Sequence, residues 1–68
     1  MSMVYVLKIR QPRMEYKTLL FDDMQKVTDA VFEFFGMEDQ RHRGLDGFQY
    51  WLMKKDYGWF EVTTEIIR

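Results

Sequence analysis

The sequence predicts a small α+β domain of order ββαββ, an antiparallel four-stranded sheet with one helix packed across one face. Three observations lead there. Apolar residues alternate with period two in four segments and recur at helical spacing in a fifth. Turn signals, including Pro12, Gly36 and Gly58, fall between those segments. At 68 residues the chain makes one domain, residues 1–68, with no solenoid repeat or low-complexity tract.

The first strand is MVYVLKIR, residues 3–10, with Met3, Tyr5, Leu7 and Ile9 on one side and Val4, Val6, Lys8 and Arg10 on the other. Pro12 ends it, and YKTLLF (16–21) follows as a second strand. Its inward set is open between Leu19 with Phe21 and Tyr16 with Leu20. Asp22 reads as a helix N-cap with Gln25 completing a variant capping box. Met24, Val27, Ala30, Val31, Phe34 and Phe35 then form one broad apolar stripe. Gly36 is the expected left-handed stop, and Met37 beyond it can meet Phe32. The polar segment EDQRHRGLDG (38–47) shows no period and reads as a loop. Strands over 48–55 and 59–67 complete the count, joined by a DYG hairpin loop in which Gly58 takes positive φ.

One helix of this length covers only one face of a four-stranded sheet. If Phe48, Tyr50, Leu52, Phe60, Val62 and Ile66 join Tyr5, Leu7 and Ile9 beneath it, the pleat forces the other set outward. That outward set holds Val4, Val6, Lys8, Arg10, Gln49, Trp51, Met53, Lys55, Trp59, Glu61, Thr63, Glu65 and Ile67. Trp51 and Trp59 could simply shield each other across the hairpin, a pairing that needs no ligand. Their grouping with Val4, Val6 and Met53, rimmed by Lys8, Arg10, Lys55 and two glutamates, has instead the composition of an interface core and rim. The expected partner-binding surface is therefore Val4, Val6, Lys8, Arg10, Trp51, Met53 and Trp59.

A domain of this size buries only about 60% of the surface its unfolded chain exposes, so dense aromatic packing or oligomerisation must compensate. The chain has no cysteine and one histidine, which excludes disulfides and cysteine-ligated zinc and leaves no metal or cofactor signature. Its net charge is −1, yet residues 22–39 hold six acids against Lys26 alone, a local −5 that leaves +4 elsewhere. Most of those acids are expected on a solvated helix face. The N-terminus carries only a five-residue apolar run before Lys8, and no stretch approaches the roughly 20 apolar residues of a membrane span. A soluble, cytoplasmic protein without membrane contact is the expectation.

For function, the sequence points to a small non-enzymatic protein-binding module, an adaptor, inhibitor or regulator, that forms a homodimer and uses the aromatic sheet face. Catalysis is not expected: the single serine is Ser2, and His42 has no nucleophile beside it. The loop residues Arg41, His42 and Arg43 are a candidate anion contact, in competition with pairing to Glu38, Asp39 and Asp46. A single-stranded nucleic-acid platform ranks second, because three bases against two acids on the face make a poor phosphate footprint. A third reading has Asp22, Asp29 and Glu33 imitate DNA phosphates toward a DNA-binding protein, with Lys26 interrupting the row.

Overall fold

The computed structural model describes residues 2–67, and these form a small α+β domain of order ββααβ. Strand β1 is Ser2–Arg10, β2 is Lys17–Phe21 and β3 is Trp59–Ile67, arranged β2-β1-β3 with both pairings antiparallel. Helix α1 is Met24–Phe35, a 3₁₀ helix spans Glu38–Arg43, and α2 is Gly44–Lys55.

The hairpin β1–β2 is closed by Gln11–Met14, where the Met14 amide donates to the Gln11 carbonyl at 3.2 Å. Pro12 in the first central position and Arg13 at φ 63° in the second match the φ signs of a type II turn. The pairs Val6↔Leu20 and Ile9↔Lys17 resolve the ambiguity in β2: Leu19 and Phe21 share the face of Leu7 and Ile9, and Leu20 the opposite one.

Helix α1 is capped by Asp23, one residue later than expected, whose carboxylate accepts from the Gln25 amide at 2.6 Å. At the other end Gly36 adopts φ 65°, with the Gly36 amide bonded to the Glu33 carbonyl and the Met37 amide to that of Phe32. This is the Schellman arrangement, and it satisfies carbonyls the helix cannot. The buried stripe of α1 is Val27, Val31 and Phe32. Phe32, which the sequence places off the main stripe, is a wholly buried core residue.

The segment expected as a third strand, 48–55, is the body of α2, and the expected polar loop 38–47 is the 3₁₀ helix plus the first turn of α2. The sheet therefore has three strands, and a second helix replaces the fourth. The window FQYWLM fits both periods: Phe48, Tyr50 and Leu52 alternate, while Leu45, Phe48 and Leu52 lie on one helical face. The fold selects the second set, burying Phe48 and Leu52 completely and leaving Tyr50 exposed. Asp46 in the first turn and Lys54 and Lys55 in the last complement the helix dipole. Asp56, at φ 57°, closes α2 with a second Schellman pair of bonds, Asp56 amide to Met53 carbonyl and Tyr57 amide to Leu52 carbonyl. No Asp56–Gly58 hairpin forms; the segment joins α2 to β3. Gly58 does take positive φ, at 149°, where a Cβ would run into the Phe35 ring and the Arg10 carbonyl oxygen.

The core consists of Leu7, Ile9, Val27, Val31, Phe32, Phe48, Leu52 and Phe60. Phe48 is its centre, with ring centroids 4.5 Å from Phe32, 5.9 Å from Phe35 and 6.2 Å from Phe60. Every core strand residue faces the helices. Because β2 and β3 flank β1, the chain must cross β1 to pass between them. It crosses on one face through both helices, and no element of the described residues lies over the other.

Candidate functional site

The bare sheet face is built by the even residues of β1 and β2 and the odd residues of β3, as the pairs Val6↔Leu20, Val6↔Thr63, Lys8↔Glu61 and Arg10↔Trp59 dictate. Val6 lies at its middle and is only 7% exposed although no helix covers it. Its cross-strand neighbours Leu20 and Thr63 close over it from both sides. Leu20 itself is 63% exposed, and Ile67 stands half-exposed at the far end of the same face.

The other end is aromatic and basic. Tyr16, just before β2, meets Trp59 edge to face with ring centroids 6.3 Å apart. Lys8 Nζ lies 5.7 Å from the Tyr16 centroid. Among the described residues neither Lys8 nor Arg10 makes an ion pair, although Glu61 lies opposite Lys8 on β3. The face thus runs from an apolar end (Val4, Val6, Leu20, Ile67) to a cationic, aromatic end (Lys8, Arg10, Tyr16, Trp59).

Five of the seven residues expected on this surface are there: Val4, Val6, Lys8, Arg10 and Trp59. Trp51 and Met53 are not, because they belong to α2 on the opposite side of the sheet. Trp51 is half-buried against the core, stacked on Phe48 at 5.9 Å, edge-on to Tyr57 at 5.4 Å, and covered by the Arg43 guanidinium 4.8 Å away. Met53 is exposed on the outer side of α2. Their two-residue spacing puts them on one face only in a strand, and 48–55 is helical. Gln49 and Lys55 move to α2 for the same reason, and Tyr50 leaves the expected inward set. Tyr16 and Leu20 were missed as site residues, although the alternation Tyr16, Thr18, Leu20 in YKTLLF carries the signal once the strand register is known.

The three basic side chains of this segment are engaged within the molecule. Arg41 bridges Asp29 on α1 at 2.7 Å and Glu38, and its guanidinium lies 5.4 Å from the Phe32 centroid. The hydrogen bonds to Glu38 and Asp29 push its already high pKa further up. Arg43 donates to the Gln40 side-chain oxygen and covers Trp51 rather than pairing with an acid. His42 Nδ1 lies 3.0 Å from the Asp39 carbonyl oxygen. Arg41, His42 and Arg43 therefore tie the 3₁₀ helix together, and Arg41 fastens it to α1. The acidic row of α1 is partly neutralised too, with Asp29 held by Arg41 and Asp22 by Lys26 at 2.9 Å.

On the helix side of the sheet, a groove of about 650 Å³ opens between the first turns of α1 and α2 and strand β3, lined by Tyr5, Met24, Leu45, Gln49, Val62 and Thr64 among others. Two of its lining residues are tied together, Gln49 Nε2 donating to the Phe60 carbonyl oxygen at 2.6 Å. Among the described residues no three His, Asp or Glu side chains converge as a metal site requires, and no helix is long and apolar enough to cross a membrane. No protein-family model, curated protein or solved structure matches the chain.

Proposed function

We propose that this chain is a small non-enzymatic binding module that self-associates and uses its bare sheet face to bind another protein, as an adaptor, inhibitor or regulator does. The observation that carries this reading is the uncovered face itself, where Leu20, Tyr16 and Ile67 remain exposed around the nearly buried Val6. A domain with so small a core gains disproportionately from covering such a surface, because apolar area removed from water contributes about 25 cal/mol per Å². Lys8, Arg10, Glu61 and Glu65 supply a mixed-charge rim of the kind that sets orientation and association rate.

A second reading, a platform for single-stranded nucleic acid, is favoured by one observation: Tyr16 and Trp59 stand at the cationic end beside Lys8 and Arg10. Two glutamates on the same face and the chain's net charge of −1 weigh against it. The acidic-helix mimic is weakened by the ion pairs of Asp22 and Asp29.

Affinity capture with the parent chain and Leu20→Asp as parallel baits tests the first reading. Leu20 is exposed, so the variant should fold, and proteins retained by the parent should be lost from it. Identical sets on the two baits would remove the sheet face from consideration. An oligo-dT anisotropy titration at low and high salt tests the second, where tight binding that collapses with salt would put it first.

A further inference from the structure

The sheet ends in two edges of unequal character. Strand β2 is five residues long, whereas β3 is nine, pairs along its whole length with β1, and has no strand on its other side among the described residues. WFEVTTEII holds no proline and no lysine, the residues that most often discourage edge pairing, and its only charges are Glu61 and Glu65, both on the open face. Its C-terminal half is also bare on both faces. Ile66, 63% exposed, is on the helix side beyond the reach of α1 and α2, and Ile67 is on the open side. There β1 pairs only with β3, since the β1–β2 ladder begins at Tyr5↔Phe21. A two-stranded ribbon of this kind is marginal in water by itself.

We propose that the β3 edge is the self-association surface, and that a second copy pairs with it antiparallel about a two-fold axis passing through Thr64. This rests on the self-association part of the function proposed above and assigns it a surface. Charge narrows the register, and packing then chooses within it. An axis at Glu61 or Glu65 sets a carboxylate opposite its own copy, and an axis at Thr63 sets Glu61 opposite the partner's Glu65 twice; like charges directly opposed destabilise a ladder. An axis at Val62 or at Thr64 avoids every such clash. The Val62 register spends part of its ladder on Phe60, whose carbonyl oxygen already accepts from Gln49, and leaves Ile66 uncovered. The Thr64 register places Val62 opposite the partner's Ile66 on the helix side and Thr63 opposite the partner's Glu65 on the open side.

The same register brings two unfilled features together. Val62 and Thr64 line the mouth of the groove between the two helices and β3, and the exposed Ile66 of each copy arrives beside the other's Val62. The interface is isologous, each protomer supplying both the isoleucine and the groove mouth. The product is a continuous six-stranded sheet with all the helices on one side. Its bare faces join into a single surface, so self-association enlarges the partner-binding face instead of consuming it.

Single-cysteine variants test the register in a chain that has no cysteine of its own. Oxidation of Thr64→Cys should give a covalent dimer, since directly opposed strand residues lie within disulfide reach. Val62→Cys and Ile66→Cys should each stay uncrosslinked alone and form a heterodimer when mixed, and Glu33→Cys on α1 reports random collision. Thr64→Lys, at an exposed position, should keep the fold and weaken the dimer tenfold or more by sedimentation, because two lysines would face each other on the axis. A parent chain that sediments only as an 8.4 kDa monomer at micromolar concentration would overturn self-association itself. A dimer that crosslinks through Val62→Cys alone, or one indifferent to Thr64→Lys, would keep self-association and overturn this surface.

Discussion

Gly58→Ala is the substitution whose cost the structure defines most closely. Gly58 sits between α2 and β3 at φ 149°, where side-chain-bearing residues are strained by about 1–3 kcal/mol. A Cβ there would also collide with the Phe35 ring and come within 2.9 Å of the Arg10 carbonyl oxygen. The ring is held by the core and the carbonyl by the sheet, so neither yields freely, and overpacking of this kind costs roughly another 1–3 kcal/mol. The sum, about 2–6 kcal/mol, is comparable to the whole stability of a domain this size, roughly 3–10 kcal/mol. Gly36→Ala is the natural control. Gly36 also has positive φ, at 65°, but a Cβ there meets nothing within 4 Å, so only the backbone cost of about 1–2 kcal/mol applies. Urea unfolding followed by tryptophan fluorescence measures both. Gly58→Ala should lower the midpoint well below that of Gly36→Ala, to the point of leaving the protein largely unfolded in buffer. Equal midpoints would refute the close packing of Gly58 against Phe35 and β1, and with it the placement of Trp59 opposite Arg10.

Two further outcomes follow from the same structure. Trp51→Ala should destabilise by about 1.5–2.5 kcal/mol, half the cost of truncating a fully buried aromatic, while leaving partner binding by the folded protein intact; an unchanged urea midpoint would return Trp51 to the surface. The Asp22–Lys26 pair gives a small pH dependence of known sign. Its hydrogen bond and charge hold the Asp22 carboxyl below its ordinary value of 3.8 and raise the Lys26 amine above 10.5. The pair's contribution is therefore full between those two values, is lost as pH falls through the depressed Asp22 value, and is lost again as pH rises through the elevated Lys26 value. The midpoint difference between the parent and Lys26→Gln should be small, constant at neutral pH, and vanish at both extremes; a difference that persisted in acid would mean the two side chains do not pair.

Local signals were enough to place β1, α1 and β3. MVYVLKIR keeps one side, Met3, Tyr5, Leu7 and Ile9, wholly apolar, Gly36 ends α1 in the left-handed conformation that glycine tolerates, and Trp59–Ile67 is rich in β-branched and aromatic residues. The bare face and five of its residues were legible for the same reason, since the pleat of β1 and β3 fixes which side chains share a side. What local sequence did not determine was the state of 48–55. A window in which Phe48, Tyr50, Trp51, Leu52 and Met53 are all large and apolar satisfies period two and period 3.6 alike, and Gly44 and Gly47 disguise a helix start as a loop. The tertiary structure decided it: as a helix this segment buries Phe48 and Leu52 while releasing Tyr50 to solvent, and Phe48 meets Phe32, Phe35 and Phe60. That choice moved Trp51 and Met53 off the face, left the sheet at three strands, and left β3 as its long free edge. Burial depends on which residues meet across the whole chain, and no window of eight residues contains that information.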